Sequence, residues 1–160
     1  MAPHSRVWWF TANRPFTHAE ADELRALLAD FTATWQAHGA DLKAGYSLLY
    51  DCVVCIAVDE NFTAPSGCSI DKAFRILQDF GSRHRMDLFQ RTLLIVPEGD
   101  SARILTKTEV AEAIQSGKIQ SDTLVLNTLE MQLNSGPEAA LIPFENSWLG
   151  RQLAANLLAK

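Results

Sequence analysis

The chain is short of cysteine, of positive charge and of long apolar runs, and each shortage excludes something. Its 160 residues hold three cysteines, Cys52, Cys55 and Cys68. An odd, small number of this kind does not build a disulfide framework. Fourteen basic residues face nineteen acidic ones, a formal net charge of −5. A nucleic-acid binder needs a basic footprint that this total does not supply, so no nucleic-acid partner is expected. No basic amphipathic stretch marks a membrane-surface helix. The longest apolar run, Val53–Val58, is far below the roughly 18 residues that span a bilayer. Val7–Phe10 is likewise too short for the roughly 7–15-residue core of a signal peptide. The chain therefore reads as cytoplasmic, with no membrane partner.

Several chemical signatures are missing as well. The one Gly-Lys pair, Gly117-Lys118, is followed by Ile119 and lacks the upstream glycine of a phosphate-binding loop. There is no G-x-G-x-x-G, no H-E-x-x-H and no G-x-S-x-G. Nucleotide-driven ATPase chemistry and dinucleotide binding have no motif, and no cofactor is expected. Cys52 and Cys55 form a C-x-x-C, yet no second pair or histidine pair completes a zinc site. They fall in Leu48–Val58, which reads as one buried strand. Residues three apart on a strand point to opposite faces, so the two thiols are expected to be inert core residues.

What the chain does have is an ordinary globular balance, 48% hydrophobic and 21% charged residues. Its length suits a single domain, 1–160, with a core over 6–117 and a C-terminal extension over 118–160. Val7–Ala12 predicts a covered, central first strand. Thr17 and Glu20 make a capping box for a long helix over 18–38, with Leu24, Leu28 and Phe31 on one stripe and Gly39 as its stop. After the strand Leu48–Val58, a second helix runs from near Ser69 to about Gly81. A third strand covers Gln90–Val96 and a fourth Ala102–Leu105. Thr106 and Glu109 form another capping box, opening a helix over 107–116 that Gly117 closes. Thr123–Asn127 and Ala139–Phe144 read as short strands, and Ser147–Lys160 as a last helix with Leu149, Leu153 and Leu157 in line. The expected class is α/β: a mixed sheet flanked by helices, in the thioredoxin-like order β-α-β-α-β-β-α. A ferredoxin-like sandwich needs two strands before the second helix, where only one is evident.

Strand–helix–strand order favours a parallel pair, and parallel sheets collect their sites at the strands' carboxyl ends. Two loops leave those ends and would gather Arg14, His18, Asp59, Glu60, Ser66, Cys68, Ser69 and Asp71. Within Ser66–Asp71, Gly67 permits a left-handed turn, and Ser66 or Ser69 can cap the helix. Free N–H groups at the helix start would stabilise a Cys68 thiolate or hold a small anion. The competing reading is a well-capped helix with a packed cysteine, Asp71 complementing its dipole. Arg14 would pair with Asp59 or Asp71, clamp an anion through its fork, or simply sit in a solvated turn. His38, placed at the far end of the first helix, falls away from Cys68. Arg83-His84-Arg85 reads as a solvated basic spot, and Trp8, Trp9, Trp35 and Trp148 as core.

Trp8-x-Phe10-x-x-x-Arg14, Trp35-Gln-Ala-His38-Gly39, Val58-Asp59-Glu60 and Ser66-Gly-Cys-Ser-Ile-Asp71 resemble a small bacterial family whose members are sometimes labelled ABC-transporter ATPases. The likeness covers about the first 95 residues and is most specific at Ser66–Asp71. It implies a bacterial cytosolic protein and brings no activity with it. The expected function is small-ligand binding or thiol-dependent chemistry at the Arg14/Asp59/Cys68 edge. There Cys68 would be the nucleophile, Asp59 would orient or exchange protons, and Arg14, Ser66, Gly67, Ser69 and Asp71 would hold the ligand. The alternative is a non-catalytic interaction or scaffold protein, docking a protein partner or a second copy of itself.

Overall fold

Thr17 ends the first loop and begins a helix, and its side chain does what its spacing to Glu20 requires. The Thr17 hydroxyl accepts from the Glu20 N–H at 3.2 Å, and the Glu20 carboxylate accepts from the Thr17 N–H at 2.8 Å. The computed structural model describes residues 1–158 and the side chains of residues 1–154. Helix α1, His18–Thr34, buries Leu24, Leu28 and Phe31. It stops short of Gly39 because Trp35 leaves in an extended conformation. The Trp35 indole N–H donates to the Ser69 carbonyl at 2.9 Å, which draws the chain off the helix axis. His38 and Gly39, both at positive φ, then turn a small hairpin between strands β2, Gln36–Ala37, and β3, Ala40–Asp41.

The expected strand Leu48–Val58 is two strands. Strand β4, Ala44–Leu49, ends at a turn over residues 50–52, and β5, Val53–Val58, runs back antiparallel beside it. Tyr50 and Asp51 both hold φ near 54°, and the Cys52 N–H donates to the Leu49 carbonyl at 3.1 Å. This is a hairpin turn without the glycine or asparagine that normally marks it. Strand β1, Arg6–Thr11, also pairs with β5, again antiparallel, giving the sheet order β1-β5-β4. Strand β4 thus runs parallel to β1, as a helical crossover demands, but β5 is inserted between them as in a split β-α-β unit. The expected parallel neighbours are absent and the thioredoxin-like order is not met. Two strands of this sheet, β4 and β5, lie between the first and second helices where one was expected, in addition to the small β2–β3 hairpin.

The central strand is β5, all six of whose residues are buried. The outer edge of β1 is covered only in part. Near its start the Val7 N–H donates to the Met131 carbonyl, and the Leu133 N–H to Ser5. Past its end the Asn13 N–H donates to the Asp87 carbonyl, and Thr11 and Phe89 form a parallel bridge. Every ladder between named strands is antiparallel, so the mixed character of the sheet reduces, among the described residues, to that bridge.

Helix α2, Gly67–His84, is capped by Ser66 and ended by Arg85 in the left-handed conformation. Strands β6, Leu94–Glu98, and β7, Ser101–Leu105, form a hairpin at Gly99. Helix α3, Lys107–Gln115, starts at its Thr106–Glu109 box, with Gly117 at positive φ just beyond. Strands β8, Leu124–Leu126, and β9, Leu141–Pro143, pair, and helix α4, Trp148–Leu158, follows. The Leu157 side chain, Ala159 and Lys160 lie outside the described residues. The main core packs Leu24, Leu28, Leu77 and Phe80 of the two long helices against Phe10, Val54 and Ile56 of the sheet. A second cluster joins Leu94, Val96 and Val110 to Val125, Phe144 and Leu149, drawing on both sides of position 117. A third holds Val7, Cys55 and Ala57 on the sheet's other face. Among the described residues no helix is long and apolar enough to cross a membrane.

Candidate functional site

The antiparallel register separates the residues that a parallel sheet would have gathered. Thr11 faces Val53 and Arg6 faces Val58. Arg14 therefore follows one end of the β1–β5 ladder and Asp59 the other, with a ladder of about 17 Å between. Cys68 sits at the start of α2, whereas Arg14 donates to the His84 carbonyl at that helix's far end. Helical rise puts about 24 Å between Cys68 and His84. Arg14, Asp59 and Cys68 do not form one site.

Arg14 spends its fork on Glu20. Its two terminal nitrogens donate to the two carboxylate oxygens at 2.8 and 2.7 Å. Hydrogen bonds from Arg14 first, and from the Thr17 N–H second, hold the Glu20 carboxyl down at about 2. Glu23 accepts from Arg83 and lies 2.9 Å from His84, so two residues of the expected solvated basic spot tie α2 to α1, while Arg85 is exposed and has no acidic partner among the described residues. Neither Asp59 nor Asp71 pairs with Arg14.

Asp59 is buried, its side chain only 3% exposed. His4 Nε2 lies 2.9 Å from one carboxylate oxygen, which also accepts from the Asn61 N–H, and Lys43 Nζ lies 3.4 Å from the other. Burial works to raise its pKa, but the bonds from His4, Asn61 and Lys43 outweigh this and hold the carboxyl below its ordinary value. Asp59 fastens the N-terminal segment and Lys43 to the end of β5. Among the described residues no hydrogen bond joins it to Cys68.

Ser66–Asp71 is a reciprocal cap. The Ser66 hydroxyl accepts from the Ser69 N–H at 3.2 Å, and the Ser69 hydroxyl accepts from the Ser66 N–H at 2.8 Å while donating to its carbonyl. Gly67 is the first helical residue, not a left-handed turn. Cys68 and Asp71 are exposed, and Ser69 is buried beneath the Trp35 indole. That contact brings the end of α1 beside the start of α2, so His38 is on the same side as Cys68 and not, as its place in a longer helix suggested, at the opposite edge. No hydrogen bond links the two. Cys52 and Cys55 are buried, and burial pushes both thiols up to about 12, with the Asp51 charge adding to the effect at Cys52. Cys52 belongs to the main core and Cys55 to the opposite face of the sheet. Among the described residues no group of three or more histidine, cysteine or acidic side chains is placed to hold a metal.

A different place combines a hollow with unused bonding groups. A cleft of about 290 Å³ opens along the outer edge of β1, between the segment around Phe89 and the segment 128–131. Backbone groups of alternate residues share one edge of a strand. Val7 and Asn13 bond outward and Ala12 bonds inward to Cys52, so the Trp9 N–H and C=O face outward. Among the described residues nothing bonds to either, and Trp9 lines the cleft. Phe10, Phe74 and Phe89 make a ring cluster behind it, with centroids 5.2 to 5.7 Å apart. The opposite wall is pinned by the Trp9 indole, which donates to the Glu130 carbonyl at 2.8 Å. On that wall Leu129 and Met131 are each 65% exposed.

The rim is charged. Arg6 lies over the Trp8 ring at 4.8 Å and reaches Glu60 at 3.4 Å. Arg91 lines the cleft, is exposed, and has no hydrogen-bond or ion-pair partner among the described residues. One oxygen of Glu130 accepts from the Met131 and Gln132 N–H groups, which ties that carboxylate into its own loop. Sequence reasoning missed this place because its walls come from opposite ends of the chain, as the contact of Trp9 with Glu130 illustrates. The alternation of Leu129, Met131 and Leu133 within a loop was its one sequence signal. No family model matches the chain, and neither a curated protein nor a solved structure matches it.

Proposed function

We propose that the protein is a small-ligand-binding module whose site is the cleft beside β1. The observation that carries the reading is the pair of free Trp9 backbone groups at the foot of an aromatic-walled hollow. Small-molecule sites are concave, mostly apolar and furnished with a few convergent polar groups. A volume of about 290 Å³ suits a ligand of one or two fused rings. The ring cluster offers flat apolar contact, and Trp9 offers a donor and an acceptor side by side. In this reading Asp59 and Arg14 support the fold, Cys68 is an exposed residue of the α2 start, and the ligand does not depend on thiol chemistry.

The test is a titration of the folded protein with 2-naphthamide, a neutral bicyclic amide, followed through backbone amide resonances. Saturable shifts centred on Trp9, Phe89 and Met131 are expected. Shifts centred on Cys68 or Asp59, or no saturable shift at all, would overturn the reading.

A further inference from the structure

Resting on that reading, we infer that the ligand of the β1 cleft is a flat aromatic anion, with its ring against Phe89 and its carboxylate on Arg91. Three observations support the charge. The protein carries a net charge of −5, yet the cleft is lined by two guanidinium groups and a single carboxylate. That carboxylate, Glu130, has one oxygen bonded to two backbone N–H groups of its own loop. Of the two arginines, Arg6 already stacks on Trp8 and reaches Glu60, whereas Arg91 is unengaged. The arginines Arg14, Arg25, Arg83 and Arg103 all donate to acidic side chains, whereas Arg75, Arg85 and Arg151, like Arg91, have no acidic partner among the described residues; of these four, Arg91 is the one that lines the β1 cleft. A guanidinium left free beside a hollow is suited to a carboxylate, which it meets through two parallel hydrogen bonds.

The ring cluster supports the aromatic part. Phe74 and Phe89 are stacked at an interplanar angle of 29°. A planar ligand can continue such a stack, and the exposed Leu129 and Met131 on the facing wall would cover its other side. Thioether and aliphatic groups of this kind lose their exposure when the cleft is filled. Recognition would then divide between two ends: apolar contact and the Trp9 backbone hold the ring system, and Arg91 selects the charge.

The experiment compares 2-naphthoate with its neutral counterpart 2-naphthamide, on the wild-type protein and on Arg91→Gln. Backbone amide shifts locate the binding, and calorimetry measures it. Wild-type protein is expected to bind 2-naphthoate at least ten-fold more tightly than 2-naphthamide, with both shifting Trp9 and Phe89. Arg91→Gln is expected to bring the two affinities to within about two-fold of each other. Equal affinities, or a preference that survives in Arg91→Gln, would overturn the anion inference while leaving the cleft as a ligand site. If neither compound shifts the cleft resonances, the site itself is refuted and the inference with it. Arg91 is an exposed residue with no partner among the described residues, so its replacement leaves the fold intact, and an unchanged amide spectrum of the free variant verifies this.

Discussion

Replacing Glu20 with Gln removes the charge from the clasp that holds α1 against the end of α2, and its cost can be worked out. The Glu20 carboxyl is held at about 2, against an ordinary value of 4.5. A tenfold change in proton affinity corresponds to about 1.4 kcal/mol, so the undiscounted value is about 3 kcal/mol. Arg14 is 37% exposed, and solvent screening reduces the net effect to about 1–2 kcal/mol. A carboxyl whose pKa is depressed in the folded state stabilises the protein above its unfolded pKa. That contribution is lost as pH falls from about 4.5 towards 2. Glu20→Gln should therefore lower the stability measured by urea unfolding at pH 7 by about 1–2 kcal/mol. The gap between variant and wild type should narrow as the pH is taken from 4.5 to 3. A gap that stays constant over that range, or no gap at pH 7, would refute the electrostatic account of the clasp.

The remaining predictions concern thiols and backbone. With an aromatic disulfide reagent at pH 8, one thiol, Cys68, should react in the native protein, and Cys52 and Cys55 should react only on unfolding; two or three fast thiols would contradict their burial. Asp51→Gly should raise stability by about 0.5–1 kcal/mol, because a residue at φ 53° is strained where glycine is not. A lower thermal midpoint would count against that turn. Gly81→Ala should cost about 1–3 kcal/mol, since a Cβ there would come within 2.5 Å of the Met86 carbonyl oxygen; a neutral result would show that the α2 end can shift.

Local signals were the legible ones. The Thr17–Glu20 and Thr106–Glu109 boxes and the Gly117 stop are contained in a few neighbouring residues, and each appears where the spacing puts it. The β4–β5 hairpin was hidden because its turn has neither glycine nor asparagine, and Asp51 is its one turn-forming residue within a long apolar run. The apolar strands on either side then merge into one run. That single merger reversed the direction of the strand leading to Asp59, and with it the whole supposed edge. The end of α1 was misplaced for a different reason. Trp35 keeps the helical spacing of the apolar stripe, but its indole is committed to Ser69 in another element. Arg14 and Glu20 are six positions apart, yet their pairing depends on the loop through Pro15, which brings the guanidinium back onto the helix start. The β1 cleft depends on contacts between Trp9 and residues near 130, and no local pattern encodes a gap in the covering of a strand edge.

The central claim is that the ligand site lies at the uncovered stretch of β1 and not at the Arg14/Asp59/Cys68 residues. A crystal structure of the protein soaked with 2-naphthoate tests it most directly. The account predicts the ring system against Phe89, a polar atom of the ligand or a bridging water on the Trp9 backbone, and the carboxylate on Arg91. The same compound bound beside Cys68 or Asp59, with the β1 cleft empty, would contradict it.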